Sequence, residues 1–491
     1  MELEKILTNV EHKKYNFKNI NIFNLVTNSK KATQNSIFFA IDGVNTSGKF
    51  YIDEAIKNGT KVVVCLHKLK TNICQIVVKD VRKALAIMCA NFYQNVQKSL
   101  KLIAVVGTNG KTSTTKILGD ILSCSGKKVG LIGTNFISFN GNTFEQNLTT
   151  PDILDLFEIF NQMVQKNIEY VVMEVSAHAI FLSKVFGLVF EYAIFTNFSQ
   201  DHLDFFGNMQ NYQNVKTSFF NSNIVKNAVL NVDDEVGKLI LQKNGVSNIT
   251  YGIKTPSDVF ASSISMNLTG SEFIVNFLDD VFTVKSNLTC LFNIYNILAS
   301  ICVAKLLKID NKTIQKSLID LKQIDGRFNL ITEGQNFNII VDYAHTPESL
   351  KNLLISINTL NKNKTITVFG CPGNRDELKR ELMGEIAGKL SDYVILTTDN
   401  PQYENSYRIM RDIERGVYKT NCPYKLIDNR SDAISLAFSL ATPKTNVVIV
   451  GKGSENFQNI NGEYVSYSDY ETITQKLALM KKLKLESKFL F

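Results

Sequence analysis

The sequence is short of residues that staple or punctuate a chain. Its 491 residues hold eight cysteines, seven prolines and five histidines. No two cysteines stand at CxxC spacing, and most lie in apolar runs such as KVVVC and LAIMC, so they read as buried thiols in a reducing compartment rather than as a zinc ribbon. Five histidines without an HExxH pattern give a structural zinc site no basis. No apolar run approaches the ~18 residues of a membrane span. The most apolar stretch, Tyr170 to Phe198, is broken by Glu174, His178, Lys184 and Glu191. The opening MELEKILTNV has no basic segment followed by an apolar one, so no signal peptide is expected and the expected location is the cytoplasm. Charge of one sign is not concentrated either. The net +8 is scattered apart from a lysine-rich tail, Lys476 to Lys488, which reads as a solvated helix face and predicts no nucleic-acid partner.

What is present is globular: 44% hydrophobic and 20% charged residues. At about 150 residues per domain, three domains are expected. Residues 1–98 alternate the strands IFFAIDG and KVVVCL with an amphipathic helix, VRKALAIMCANFYQNVQ. Residues 99–328 open with the buried run KLIAVVG and continue through KVGLIG, YVVMEV, EYAIFTN and NAVLNV, separated by helix-length segments. That alternation predicts a mostly parallel sheet with crossover helices. Residues 329–491 repeat it with NIIVDYA, TITVFG, YVILTTDN and TNVVIVGKG as strands. The predicted fold class is α/β.

The strongest local signal is VVGTNGKTSTTK, Val105 to Lys116. A buried strand ends, Gly107 and Gly110 allow a tight turn through Thr108 and Asn109, and Lys111, Thr112 and Ser113 open a helix. Backbone N–H groups at such a helix start cradle phosphates, the lysine neutralises charge and the threonine hydroxyl suits Mg²⁺, so this is an ATP-class site. The usual pattern has a glycine where this chain has Val105, which makes the loop a shortened form. YVVMEVSAH ends a second strand in Glu174, the placement of a Mg²⁺-holding carboxylate. FTNFSQDHLDFFG packs Asp201, His202 and Asp204 after a third strand, and Lys216 follows in an apolar helical stretch. DYAHTPESL opens a helix at Thr346-Pro347. VFGCPGNRDELKRELM is expected to place Arg375, Lys379 and Arg380 in a loop, a cluster suited to carboxylate or phosphate. With TTDNPQ and GKGSENFQ, these loops fall at the carboxyl ends of strands, where open α/β sheets bind ligands, and predict a second half-site facing the ATP.

In chain order GTNGKTST, MEVSAH, TNFSQDHLD, YQNVK, FNIYN, GRF, DYAHTP, GCPGNRD, DNP and GKG resemble the Mur ligases over essentially the full length. DYAHTP with GNRD and DNP points to the branch that adds the third amino acid of the peptidoglycan stem; folylpolyglutamate synthetases share the phosphate loop but differ in these later motifs. The resemblance implies a sugar-nucleotide domain at 1–98, a central ATP-binding domain at 99–328 and a Rossmann-like amino-acid domain at 329–491. It implies ATP and Mg²⁺ as cofactors, and UDP-N-acetylmuramoyl-L-Ala-D-Glu with a free diamino acid as substrates of a monomeric enzyme. Lys111, Glu174, His202 and Lys216 match its catalytic positions, Lys216 being the lysine that the family carbamylates to join Thr112, Glu174 and His202 around metal. Asn293 and Asn296 match adenine-side positions, with Cys290 replacing a common glycine nearby, while Arg327, Asp342 and His345 would reach the nucleotide across the cleft. Where the family shows Asp-Ser-Arg for uridine, this chain has Asn28-Ser29-Lys30, so Ser29 alone carries over. Thr149, Thr150 and Ser176 match muramoyl-dipeptide positions, Lys184 stands for an arginine and Leu182 for a glutamine.

For the incoming amino acid the matching positions are Arg380 on its carboxylate, Asp399, Asn400, Gln402, Gly451, and Glu455 on an amine. Members that add diaminopimelate show DNPR, and this chain shows Asp399-Asn400-Pro401-Gln402. An uncharged glutamine cannot pair bidentately with a distal carboxylate, and Ser454 replaces a common histidine, so L-lysine or a relative is favoured over meso-diaminopimelate. A non-catalytic nucleotide-binding relative would be expected to have lost Lys111, Glu174, His202 or Lys216, and all four are present.

Overall fold

The computed structural model describes residues 1–43, 46–146, 148–243 and 245–488. Three α/β sheets follow one another along the chain. The first has five strands, of which Asn24–Val26, Ser36–Phe39, Val62–Cys65 and Cys74–Val77 run parallel, with Lys13–Tyr15 antiparallel at one edge. Ser36–Phe39 and Val62–Cys65 are buried along their whole length, as strands covered on both faces must be. The helix Val81–Phe92 starts where the Asp80 carboxylate accepts the N–H groups of Arg82 and Lys83.

The central sheet has eleven strands. Lys101–Val106 lies between Tyr170–Glu174 and Phe190–Phe195, all parallel, with Glu174 opposite Val105 and Phe195 opposite Val106. That register brings the phosphate loop, the Glu174 carboxylate and the TNFSQDHLD loop to one sheet edge. Both ends of this sheet turn antiparallel: Phe136–Phe139 and Asn142–Phe144 on one side, Gly270–Phe277 and Asp280–Ser286 on the other. The third sheet orders Asn329–Ile331, Asn338–Asp342, Thr445–Val450, Lys364–Phe369, Tyr393–Leu396 and Tyr424–Leu426, parallel except for the first. The DYAHTP, GKGSEN, GCPGNRD and TTDNPQ loops thus leave the same edge. Lys379 and Arg380 are not in a loop as expected; they form the first turn of the helix Leu378–Leu390.

The first two sheets share one continuous apolar core, in which Leu85 and Met88 belong with Phe157 and Phe160, and Tyr93 stacks on Phe157 at 6.2 Å between ring centres. The third sheet has its own core, into which the central domain inserts Cys290 at the start of the helix Leu291–Leu306. No helix among the described residues is long and apolar enough to cross a membrane.

Candidate active site

A cleft of about 1040 Å³ opens between the central and third sheets. Its floor is the phosphate loop. Val105 is fully buried in the strand, so the turn begins only at Gly107, where a side chain would collide with the Thr196 hydroxyl. Gly110 has φ +84°, and a Cβ there would meet Asn296 Oδ1 at 2.5 Å. Lys111 Nζ donates to its own loop, to Gly107 O at 3.0 Å and Thr108 O at 2.9 Å. Burial holds its pKa below the ordinary lysine value even though Glu174 and Asp201 pull it upward. The Thr112 hydroxyl donates to Glu174 Oε1 at 2.9 Å and accepts from Arg327 Nη2 at 3.2 Å. Glu174 is fully buried and also accepts the N–H and hydroxyl of Thr134. Ser113 is buried in the same first turn, and Asn109 donates to Ser199 Oγ at 3.2 Å.

Lys216 is sealed beneath this floor, 1% exposed. Its amine donates to Thr108 Oγ1 at 2.9 Å and sits 4.3 Å from the centre of the Tyr212 ring. It has no acidic partner at ion-pair distance among the described residues. Burial, reinforced by the positive Lys111, holds its pKa well below the ordinary lysine value. The lowered pKa favours the uncharged amine, which is the form that adds to CO₂, and the surroundings fit a carbamate. The expected metal quartet is not assembled by side chains alone. Among the described residues no three His, Cys, Asp or Glu groups are gathered as a metal would need. Thr112 and Glu174 are paired, whereas His202 packs edge-on against His178 at 4.7 Å and lies 3.3 Å from Asp201. A carbamate on Lys216 would supply the anionic oxygens that the set lacks.

Burial pushes the pKa of His202 down to about 3, against the opposing pull of Asp201. Its imidazole is then neutral throughout pH 5–8. The expected result is a flat NMR chemical shift for its ring protons over that range, assigned by comparison with His202→Asn; a midpoint near the ordinary ~6.5 would contradict the geometry.

The adenine-side positions separate. Asn296 lines the cleft and accepts from Thr114 Oγ1 at 3.3 Å. Asn293 does not line it: its amide donates to Thr289 O at 2.8 Å and accepts from Asn296, bracing the helix. Tyr295, whose hydroxyl donates to Asp233 at 2.7 Å, and Lys254 line the cleft there and were missed by sequence reasoning. Across the cleft, Arg327 lies over the Tyr343 ring at 4.6 Å. Asp342 accepts the N–H groups of Phe328 and Ala344, and His345 lies 3.7 Å from Asp201.

The amino-acid loops converge on Glu455, whose carboxylate accepts Tyr343 Oη at 3.2 Å, Asn400 Nδ2 at 2.9 Å and Lys452 Nζ at 2.9 Å. Gly451, at φ +109°, leaves room for the buried Asp399, whose Oδ2 a Cβ would meet at 2.5 Å. Gln402 lines the cleft in the left-handed region, φ +53°, clamped through its backbone to Asn459 and Asn461 of the hairpin beyond GKGSEN. Arg380 departs from expectation. It is fully buried, pairs with Glu404 at 2.9 Å and Asp412 at 3.1 Å, and does not line the cleft. Its guanidinium fastens two helices, and its one unpartnered atom, Nε, is sealed from solvent. The exposed, cleft-lining guanidinium of this segment is Arg375, which makes no ion pair among the described residues.

Thr149 lines the main cleft, while Thr150 donates to Glu174 O and Ser176 caps a short helix by accepting Ala179 N–H. A second cleft of about 260 Å³ lies between the first two sheets, lined by residues including Thr27, Thr46, Arg82, Leu182 and Lys184. Lys184 pairs with Asp152 at 2.8 Å. Ser29 is outside it, buried and donating to Glu54 at 2.5 Å.

These features, a phosphate loop facing a second domain's polar loops, belong to a class of ATP-binding amide ligases. The model of the Mur ligase middle domain matches residues 105–304, and that of the Mur ligase, glutamate ligase domain matches residues 326–453. The chain belongs to the Mur ligase family and is a ligase of peptidoglycan synthesis. Among relatives, it is 38% identical over 480 residues to UDP-N-acetylmuramoyl-L-alanyl-D-glutamate–2,6-diaminopimelate ligase 1 of Clostridium acetobutylicum, covering 97% of this chain and 99% of that one. It is also 38% identical to the corresponding ligase of Caldanaerobacter subterraneus subsp. tengcongensis, over 98% of this chain and all of the relative. A solved structure of a UDP-N-acetylmuramoyl-L-alanyl-D-glutamate–2,6-diaminopimelate ligase superposes with a TM-score of 0.67 at 28% identity, covering 94% and 95% of the two chains.

Proposed function

We propose that the protein joins meso-diaminopimelate to the D-Glu residue of UDP-N-acetylmuramoyl-L-Ala-D-Glu at the expense of ATP, in the cytoplasm. The observation that carries this reading is the single cleft lined both by Lys111 and Thr112 and by Asn400, Gln402 and Glu455 from the opposite domain. The amino acid comes from the relatives: those named above are diaminopimelate ligases, and none of them supports the lysine preference that Gln402 suggests from sequence.

The N–H groups that open the helix at Lys111 and the Lys111 ammonium would hold the ATP phosphates. Mg²⁺ held by Thr112, Glu174 and a Lys216 carbamate would neutralise charge on the transferring group. The acceptor carboxylate attacks the γ-phosphorus and ADP leaves, giving an acyl phosphate. The amine of the second substrate adds to its carbonyl carbon, loses a proton, and phosphate departs as the amide forms. Glu455, already an acceptor of three donors, would receive the ammonium end of the amino acid, and Arg375 in place of Arg380 would face its carboxylate. The second cleft, with Arg82 and Lys184, would receive the uridine diphosphate.

The test is ADP release by purified protein with UDP-N-acetylmuramoyl-L-Ala-D-Glu and Mg·ATP, with diaminopimelate, lysine and ornithine in parallel and products identified by mass. Turnover chiefly with diaminopimelate is expected. Turnover with lysine alone would overturn the amino-acid assignment, and no turnover with any of them would overturn the substrate assignment.

A further inference from the structure

The loop Ser199–His202 of the central domain meets the first turn of the helix Leu378–Leu390 across the cleft. Asp201 Oδ1 lies 3.8 Å from Lys379 Nζ, and its Oδ2 lies 3.7 Å from His345 Nε2 and 3.3 Å from His202 Nε2. The same carboxylate accepts the His202 N–H at 2.9 Å. One residue earlier, Gln200 Nε2 donates to Asp376 Oδ2 at 3.2 Å. Both charged groups are sealed, Asp201 at 5% and Lys379 at 3% exposure, and Lys379 has no other acidic partner at ion-pair distance among the described residues.

We propose that Asp201 and Lys379 are a positioning pair that fixes the register in which the C-terminal domain docks on the phosphate-loop domain. What they position rests on the ligase reading; the docking itself does not. The pair supplies selectivity rather than strength. Removing an ammonium and a carboxylate from water costs about as much as their attraction returns, so the pair adds little to the free energy of docking. A docking displaced by a few ångströms, however, would bury the Lys379 ammonium without its counter-charge and leave Asp201 with His202 alone, which is strongly unfavourable. The pair therefore rejects neighbouring arrangements of the two faces. His202, adjacent to Asp201, is held with φ +56° at the start of its helix, so the same carboxylate also fixes the backbone of a site residue.

The experiment compares full-length wild type, Lys379→Met, Asp201→Asn and the double variant, with thermal melts confirming that each is folded. Turnover is measured with the sugar-nucleotide peptide. Small-angle scattering with adenylyl imidodiphosphate measures docking without any acceptor, so failure of the substrate assignment would leave this arm intact. Each single variant is expected to lose kcat by at least about tenfold and to scatter as a less compact particle, because one buried charge is left unpaired. The double variant, with neither charge, is expected to regain compactness but not kcat, since docking returns without its register. Restored kcat in the double variant would overturn the proposal, as would unchanged single variants. So would losses that multiply in the double variant, the result expected if Lys379 acted directly on the phosphate.

Discussion

Lys216→Ala is expected to lose turnover by on the order of 10³-fold, the scale reached when a group serving the transferring charge is removed. The reason lies in the combination of full burial, a Thr108 hydroxyl partner and, among the described residues, no acid within ion-pair reach. An amine whose burial favours the uncharged form can make an N–C bond with CO₂ and release a proton, turning a cation site into an anion site. Three readouts separate this from simple structural damage. Wild type in CO₂-depleted buffer should lose activity and regain it with bicarbonate. The alanine variant should ignore bicarbonate but respond to acetate, which brings a carboxylate into the vacated space. Lys216→Arg, unable to form a carbamate, should respond to neither. Stability runs the other way. With its pKa below that of an unfolded lysine, the uncarbamylated native state binds fewer protons than the unfolded state, so its stability rises with pH from the lowered value to about 10.4. Lys216→Met should accordingly melt higher at pH 7 in metal-free protein while being inactive. An alanine variant keeping more than about a tenth of wild-type kcat would remove Lys216 from the reaction.

Gln402→Arg should shift selectivity toward diaminopimelate over lysine by about 100-fold in the ratio of kcat/KM values, the order of two strong charge-assisted hydrogen bonds. Gln402 lines the cleft, and its backbone is pinned on both sides to the hairpin strand by Asn459 and Asn461, so a longer side chain starts from a fixed origin. A guanidinium there would meet a distal carboxylate bidentately, where the amide offers two uncharged donors. The gain should appear in KM for diaminopimelate more than in kcat, since the distal group is remote from the bond being made. A ratio changed by less than about twofold would mean that Arg375, not residue 402, reads the distal end.

Much of this was legible in the sequence for a physical reason. Buried parallel strands are continuous apolar runs, and KLIAVVG, YVVMEV and EYAIFTN announce themselves; the loops that follow them carry the chemistry because that is where parallel strands deliver their ends. The antiparallel strands Gly270–Phe277 and Asp280–Ser286 were not legible, since they alternate buried and exposed residues and have no apolar run. Arg380 was misassigned because a basic residue in the GNRDELKR stretch looks the same whether it faces a ligand or two acids, and Glu404 and Asp412 lie far along the chain. Asn293 was misread similarly, its helix turned so that only Asn296 faces the cleft. The lysine preference finds no support among the relatives for a different reason: it weighed one missing charge, at Gln402, and left the other cleft-lining groups out of account.

The core shared by the first two sheets has a mechanical consequence. Because Leu85 and Met88 are packed into the same apolar interior as Phe157 and Phe160, the N-terminal unit cannot swing without exposing that interior to water. The C-terminal unit meets the phosphate-loop domain chiefly through polar contacts, Arg327 with Thr112, Asp201 with Lys379 and Gln200 with Asp376, with Cys290 and Phe292 as an apolar anchor at one side. One cleft therefore has the stiffer junction and the other the softer one. On the ligase reading the two junctions would act as a calliper: the stiffer side would gauge the length of the nucleotide-linked acceptor, and travel would be spent at the end where the new bond is made.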